Sequence, residues 1–142
     1  MRSKFYTLPM NEGHLTIAEM ANRTGLSAHT LRYYERIGLL DPIERAPSGH
    51  RRYSARDVAW VEFLTRLRKT GMPIRMMQHY ARLRREGDGT LQARRELLSE
   101  HQRVIQNQIN DLQQILDAIL EKIVAYQNME AEYERKRNKN AV

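Results

Sequence analysis

The chain has 142 residues, close to one domain in size, with 24 Lys/Arg against 17 Asp/Glu, a formal net charge of +7 and a pI near 10.0. The excess points to an anionic partner, nucleic acid foremost. It is also uneven: residues 1–80 hold 13 Lys/Arg and 7 Asp/Glu, whereas residues 81–142 hold 11 and 10. The absence of cysteine excludes disulfides, thiolate metal sites, thiol redox sensing and cysteine nucleophiles, and no apolar run nears the roughly 20 residues of a membrane span.

Residues 1–14 show no period and are expected to form a flexible arm. Without a sustained hydrophobic stretch at the start, a secretory signal is not expected, and the protein reads as soluble and cytoplasmic. Order is expected from "LTIAEMANRTG", where Thr16 and Glu19 have the T-x-x-E spacing of a capping box and Gly25 supplies the left-handed turn that ends a helix. Ser27 can cap the next helix. On that helix His29, Arg32, Tyr33 and Arg36 follow the i, i+3, i+4, i+7 spacing of a buried stripe, but they are cations and a phenol. Leu31 and Tyr34 remain to pack inward. Two short helices around a Gly-containing turn predict a helix-turn-helix whose second helix reads DNA, and the polar stripe is then the face turned to it.

"DPIERAPSGHRRYS" breaks helix at Pro42, Pro47 and Gly49 and predicts a small β-hairpin wing carrying Arg45, His50, Arg51, Arg52 and Tyr53. Ser54 and Asp57 form a second capping box, opening a core helix with Val58, Val61, Leu64 and Leu67 at every third position. That helix ends at "RKTGMP", where Arg68, Lys69 and Thr70 make a third basic cluster able to meet phosphates. "IRMMQHYARLRRE" predicts one more helix, which closes a DNA-binding head over residues 15–86. Ser27, His29, Thr30, Arg32, Tyr33, Arg36, Arg45, Arg51, Arg52, Tyr53, Arg68, Lys69 and Thr70 are the candidate DNA-binding residues.

From Thr90 to about Asn128 there is neither Gly nor Pro, and a heptad runs through Leu91, Leu98, Ile105, Leu112, Ile119 and Tyr126, joined by Ile109, Leu116 and Ile123. A lone helix cannot bury such a seam. A homodimer through Leu98, Ile105, Ile109, Leu112, Leu116, Ile119 and Ile123 is expected, in an antiparallel or parallel pair. Residues 129–142 read as a polar, frayed tail. His14, His29, His50, His79 and His101 lack metal-ligand spacing, so no metal and no cofactor are expected. Nor is catalysis, since there is no Gly-rich phosphate loop, activated nucleophile or obvious carboxylate pair. A small apolar effector would be sought near Trp60, Arg66 and Tyr80, where the head meets the partner's long helix.

"LTIAEMANRTGLSAHTLRYYERIGLL", "GHRRYS" and "LRKTGMPI" together resemble the MerR family of bacterial transcription regulators, over about Leu15 to Tyr126. The resemblance implies a mainly α fold, with a winged helix-turn-helix head, a second helical wing and a long C-terminal helix in an antiparallel dimerising coiled coil. It also implies a mechanism. The dimer would bind an inverted repeat in double-stranded promoter DNA with an over-long spacer and, with effector bound, bend and untwist it so that RNA polymerase meets realigned elements. Arg32, Tyr33, Arg51 and Tyr53 match the family's DNA-contacting positions, and Arg68, Lys69 and Gly71 match its second wing. The chain departs from metal sensors in having no cysteine. It departs from drug sensors in the lack of room in residues 129–142 for a ligand domain. Its look is that of the short aldehyde- or electrophile-responsive members, but Arg66 stands where those carry a cysteine, so its effector is unknown. An architectural DNA-bending protein similar to a phage excisionase shares the winged head but has no use for the long heptad helix. A coiled-coil protein whose basic head meets an acidic protein leaves the capped helix-turn-helix unexplained.

Overall fold

A computed structural model describes residues 13–141; nearly all of the expected N-terminal arm, residues 1–12, lies outside the described residues, as does residue 142. The helices in chain order are α1 (Ile17–Thr24), α2 (Ala28–Arg36), α3 (Ala55–Lys69), α4 (Ile74–Glu86) and α5 (Leu91–Asn140), with a 3-10 turn over Asp88–Thr90 leading into α5. The chain divides into two units, one ending at Leu98 and the other beginning at Ser99.

Both capping boxes form. Thr16 Oγ1 accepts the Glu19 N–H at 3.1 Å and the Glu19 carboxylate accepts the Thr16 N–H at 3.0 Å; Ser54 and Asp57 exchange the same pair of bonds at 3.1 and 2.8 Å. Gly25 ends α1 at φ 78°, a left-handed conformation in which its N–H reaches the Ala21 carbonyl at 2.9 Å. Met20 of α1, Leu31 and Tyr34 of α2, Val58, Val61, Leu64 and Leu67 of α3, and Met77 and Tyr80 of α4 form one buried cluster. Leu98, expected in the dimer seam, packs against this cluster together with Leu97. The wing is smaller than a regular hairpin. Its one internal bridge pairs Arg45 with Arg51, closed by a turn in which the Gly49 N–H bonds the Ala46 carbonyl at 2.8 Å, and a second bridge joins Tyr53 to Leu15 ahead of α1.

The end of α2 is tied down by side chains from two other helices. Its own last carbonyls accept N–H groups of the following turn, Tyr33 from Ile37, Tyr34 from Leu39 and Glu35 from Gly38, which leaves the carbonyls of that turn to find donors elsewhere. Gln78 Nε2 donates to the Ile37 carbonyl at 2.9 Å, Arg85 Nη1 to the Gly38 carbonyl at 2.9 Å, and the Trp60 indole N–H to the Leu39 carbonyl at 2.8 Å. Glu35, in the last turn of α2, holds the wing. One carboxylate oxygen accepts Arg51 Nε at 2.7 Å and the other accepts the Ile43 N–H at 3.1 Å. Partial burial pushes the Glu35 carboxyl up, but the hydrogen bonds from Arg51 and Ile43, with the charges of Arg51 and Arg45, outweigh it and hold it below the ordinary value of 4.5.

α5 corrects one boundary: the helix does not stop near residue 128 but continues to Asn140. Neither Gly nor Pro interrupts it. Its polar end carries ion pairs at helical spacing, Arg135 to Glu132 at 2.8 Å and Arg137 to Glu134 at 3.7 Å. Ile109, Leu112, Leu116, Ile119 and Ile123 are all exposed on it, and Ile105 is half-buried.

Two outcomes follow. Ser54→Ala removes the side-chain acceptor of the α3 cap and is expected to cost about 1 kcal/mol in urea denaturation. The folded pKa of Glu35 is lowered, so its stabilisation is fully present above the ordinary value of 4.5 and is lost as pH falls through the lowered one. The gap in thermal midpoint between wild type and Glu35→Gln should therefore be constant near neutrality and narrow in acid.

Candidate nucleic-acid interface

Ser27 builds the start of α2. Its Oγ accepts the Thr30 N–H at 3.0 Å and donates to Thr30 Oγ1 at 2.9 Å, so both hydroxyls are engaged in the cap. Beyond the cap, His29, Arg32, Tyr33 and Arg36 stand exposed on the outer face, opposite the buried Leu31 and Tyr34. The Arg36 guanidinium lies 5.4 Å from the Tyr33 ring centroid, which steadies a cation and a phenol side by side. A straight helical face with three potential cations is a surface shaped for the groove of a polyanion.

The wing stands beside that face. The bond from Arg51 of the wing to Glu35 of α2, at 2.7 Å, places the two elements next to each other. Within the wing, Arg45 Nη1 donates to the Gly49 carbonyl at 2.8 Å and stiffens the turn, and Arg52 Nη2 lies 3.5 Å from His14 Nδ1. Arg51 has a double position. Its Nε is committed to Glu35, and that bond leaves the two terminal nitrogens free to meet a phosphate. Tyr53 corrects an expectation: it is fully buried, its hydroxyl has no hydrogen-bond partner among the described residues, and burial pushes its phenol up. It pairs with Leu15 in the second bridge and belongs to the core, not to the outer surface.

At the turn after α3, Arg68 and Lys69 are exposed, and Arg68 Nη1 lies 3.5 Å from the Met72 carbonyl. The Arg68 charge acts on the Tyr34 phenol of α2, opposing the upward push of burial. Thr70 is half-buried and donates its hydroxyl to the Leu67 carbonyl at 2.9 Å, closing the end of α3. The expected effector trio does not come together. Trp60 and Tyr80 are neighbours, with ring centroids 5.3 Å apart, but Arg66 lines a separate cavity with Arg23, Glu62 and Lys69. Among the described residues no group of three or more His, Asp or Glu is arranged to hold a metal ion, and no helix is long and apolar enough to cross a membrane.

Sequence reasoning passed over Glu35, Gln78 and Arg85, whose side chains bond the end of α2, the turn after it and the wing. Their partners lie between 8 and 47 residues away along the chain. No local spacing announces such bonds.

Comparison with known proteins identifies the family. Residues 15–83 match the family described as MerR HTH family regulatory protein, and residues 58–122 match the one described as MerR, DNA binding. An HTH-type transcriptional regulator of Haemophilus influenzae is 34% identical over 116 residues, covering 82% of this chain and 86% of that protein. The HTH-type transcriptional regulator AdhR of Bacillus subtilis is 44% identical over 93 residues, covering 65% of this chain and 66% of AdhR. Among solved structures, one from Listeria monocytogenes assigned to the MerR family superposes with a TM-score of 0.79 at 41% identity, covering 86% of this chain and 94% of that one. HiNmlR, a MerR family regulator lacking the sensor domain and bound to promoter DNA, superposes at 0.74 with 32% identity, covering 84% of this chain and 94% of that one. With the exposed basic face of α2, the wing and these matches in agreement, the chain belongs to the MerR family of helix-turn-helix transcription regulators.

Proposed function

We propose that the protein acts as a homodimer on an inverted repeat in a promoter with an over-long spacer, and that effector binding makes it bend and untwist that DNA for RNA polymerase, in the bacterial cytoplasm. The observation that carries this is the polar outer face of α2. Arg32 is placed to bond guanine or a phosphate, while Tyr33, Arg36, Arg51, Arg68 and Lys69 supply phosphate contacts around it. HiNmlR, its relative by fold and sequence, is bound to promoter DNA, which supports the choice of partner.

Dimerisation rests on α5. Ile109, Leu112, Leu116, Ile119 and Ile123 are 46–66% exposed, and they recur at alternating steps of three and four. Tyr126 and Tyr133, also exposed, carry the same register onward. A second copy of the helix is the natural cover for a stripe of that period. Distorting a promoter costs on the order of 1–10 kcal/mol in elastic energy, and two heads with their wings can offset it where one cannot. An architectural DNA-bending protein would have no need of the stripe.

Selection of genomic fragments on the purified protein, followed by footprinting, tests the whole reading. An inverted repeat between widely spaced promoter elements is expected; enrichment without a shared repeat would count against it. Arg32→Ala should weaken specific binding by about 1–3 kcal/mol if it reads a base. Leu116→Glu should convert the dimer to a monomer in sedimentation equilibrium. Glu35→Gln gives a test of sign. Removing a negative charge near phosphates should tighten binding by electrostatics alone, but if Glu35 positions Arg51 the specific affinity falls while non-specific affinity does not. Tighter specific binding would show that Glu35 is merely a nearby charge.

A further inference from the structure

Trp60 and Arg84 form a second, separate feature of the head. The Arg84 guanidinium lies 3.7 Å from the centroid of the Trp60 ring. Trp60 is itself held rigidly, with its indole N–H on the Leu39 carbonyl at 2.8 Å and its ring against Tyr80 at 5.3 Å and Phe63 at 6.3 Å. The pair lines a cavity of about 400 Å³ together with Asp41, Arg56 and Asp57. That volume is in the range of small-molecule sites.

Two carboxylates and two guanidiniums line this cavity, and both carboxylates are engaged by other groups. Asp57 is spent on the α3 cap, where its Oδ2 accepts the Ser54 N–H at 2.8 Å. Asp41 bonds to Arg85, Nη1 to Oδ1 at 3.4 Å, although its charge also reaches Arg84. Arg84 is half-buried, and among the described residues none gives its guanidinium an ion pair or a hydrogen-bond acceptor. Arg56 stands exposed in the same wall, and the charges of Arg56 and Arg94 both bear on Arg84. Burial pushes the Arg84 guanidinium down from its ordinary value and outweighs the opposing pull of the Asp41 charge. A planar fork of N–H donors in this state is suited to a carboxylate or phosphate, which it can bind through two parallel bonds.

We propose that the cavity walled by Trp60, Arg84 and Arg56 is an oxyanion site, which takes a carboxylate or phosphate group. The anion belongs either to a free small molecule or to a DNA phosphate. Occupancy does not depend on the promoter reading and can be measured without DNA.

Trp60 is the only tryptophan in the chain, so its emission reports on this cavity alone. The full-length protein is titrated with benzoate and with inorganic phosphate against chloride at constant ionic strength. Calorimetry is run in parallel, because removing the guanidinium alters the indole emission by itself. A saturable response is expected in wild type, weakened at least tenfold in Arg84→Gln, weakened less in Arg84→Lys, and unchanged in Arg103→Gln on α5. Thermal melts of the variants establish that they fold. If neither free anion binds but a short duplex gives a Trp60 response that Arg84→Gln loses, the site holds a DNA phosphate. A response that Arg84→Gln retains in full, or no response to benzoate, phosphate or duplex, overturns the site. Footprinting of wild-type DNA complexes is scored separately, so failure of the promoter reading and failure of this site are told apart.

Discussion

The recognition helix has nine residues, too few to be stable alone, and its outer face is surrendered to polar side chains. What holds it is a set of bonds at its two ends. Ser27 caps the start, and the carbonyls of Ile37, Gly38 and Leu39 after its last turn each accept a hydrogen bond from α4 or α3. Without those donors the three carbonyls would be left unsatisfied at the edge of the core, at about 1–3 kcal/mol for each one truly buried. The direction in which Arg32 and Tyr33 point is therefore set by Gln78, Arg85 and Trp60 as much as by Leu31 and Tyr34 beneath them.

The wing depends on the same helix. One internal bridge is too little to make a stable hairpin, since even a complete two-stranded hairpin is marginal in water. Glu35 makes up the difference by holding Arg51 on one oxygen and the Ile43 amide on the other. A carboxylate so close to a DNA-facing surface is electrostatically unfavourable for binding. Its presence there is explained by the bond with which it fixes Arg51. Polar contacts, not a sheet, thus join α2 to the wing.

Much of this head was legible in the sequence wherever physics is local. Thr16 with Glu19, Ser54 with Asp57, and Gly25 declare their roles within four residues, because a cap or a left-handed turn involves only its neighbours. The stripe on α2 was legible because a 3.6-residue period survives over two turns. Tyr53 was not, since three extended residues are too short for a two-residue period to show which face is buried. Arg51 and Tyr53, two apart, both turn inward, one to Glu35 and the other to the core. The end of α5 was misplaced because polar composition was taken for fraying, whereas Glu132 and Glu134 have cations three residues ahead of them. Bonds such as Trp60 to Leu39 span 21 residues and leave no trace in spacing.

Trp60 connects the two halves of the head's chemistry. Its indole N–H holds the Leu39 carbonyl just after the recognition helix, and its ring carries the Arg84 guanidinium. Arg85, the next residue, bonds Gly38 on one side and Asp41 on the other. Any oxyanion that draws Arg84 toward itself would work against the stacking on Trp60, and through Trp60 and Arg85 on two of the three bonds that aim α2. The coupling needs no long path: one indole and two adjacent arginines stand between the cavity and the reading helix. Its size is bounded by the bonds at stake, about 1 kcal/mol net for each hydrogen bond. That is small beside the elastic cost of distorting a promoter but comparable with the 1–3 kcal/mol typical of coupling between sites.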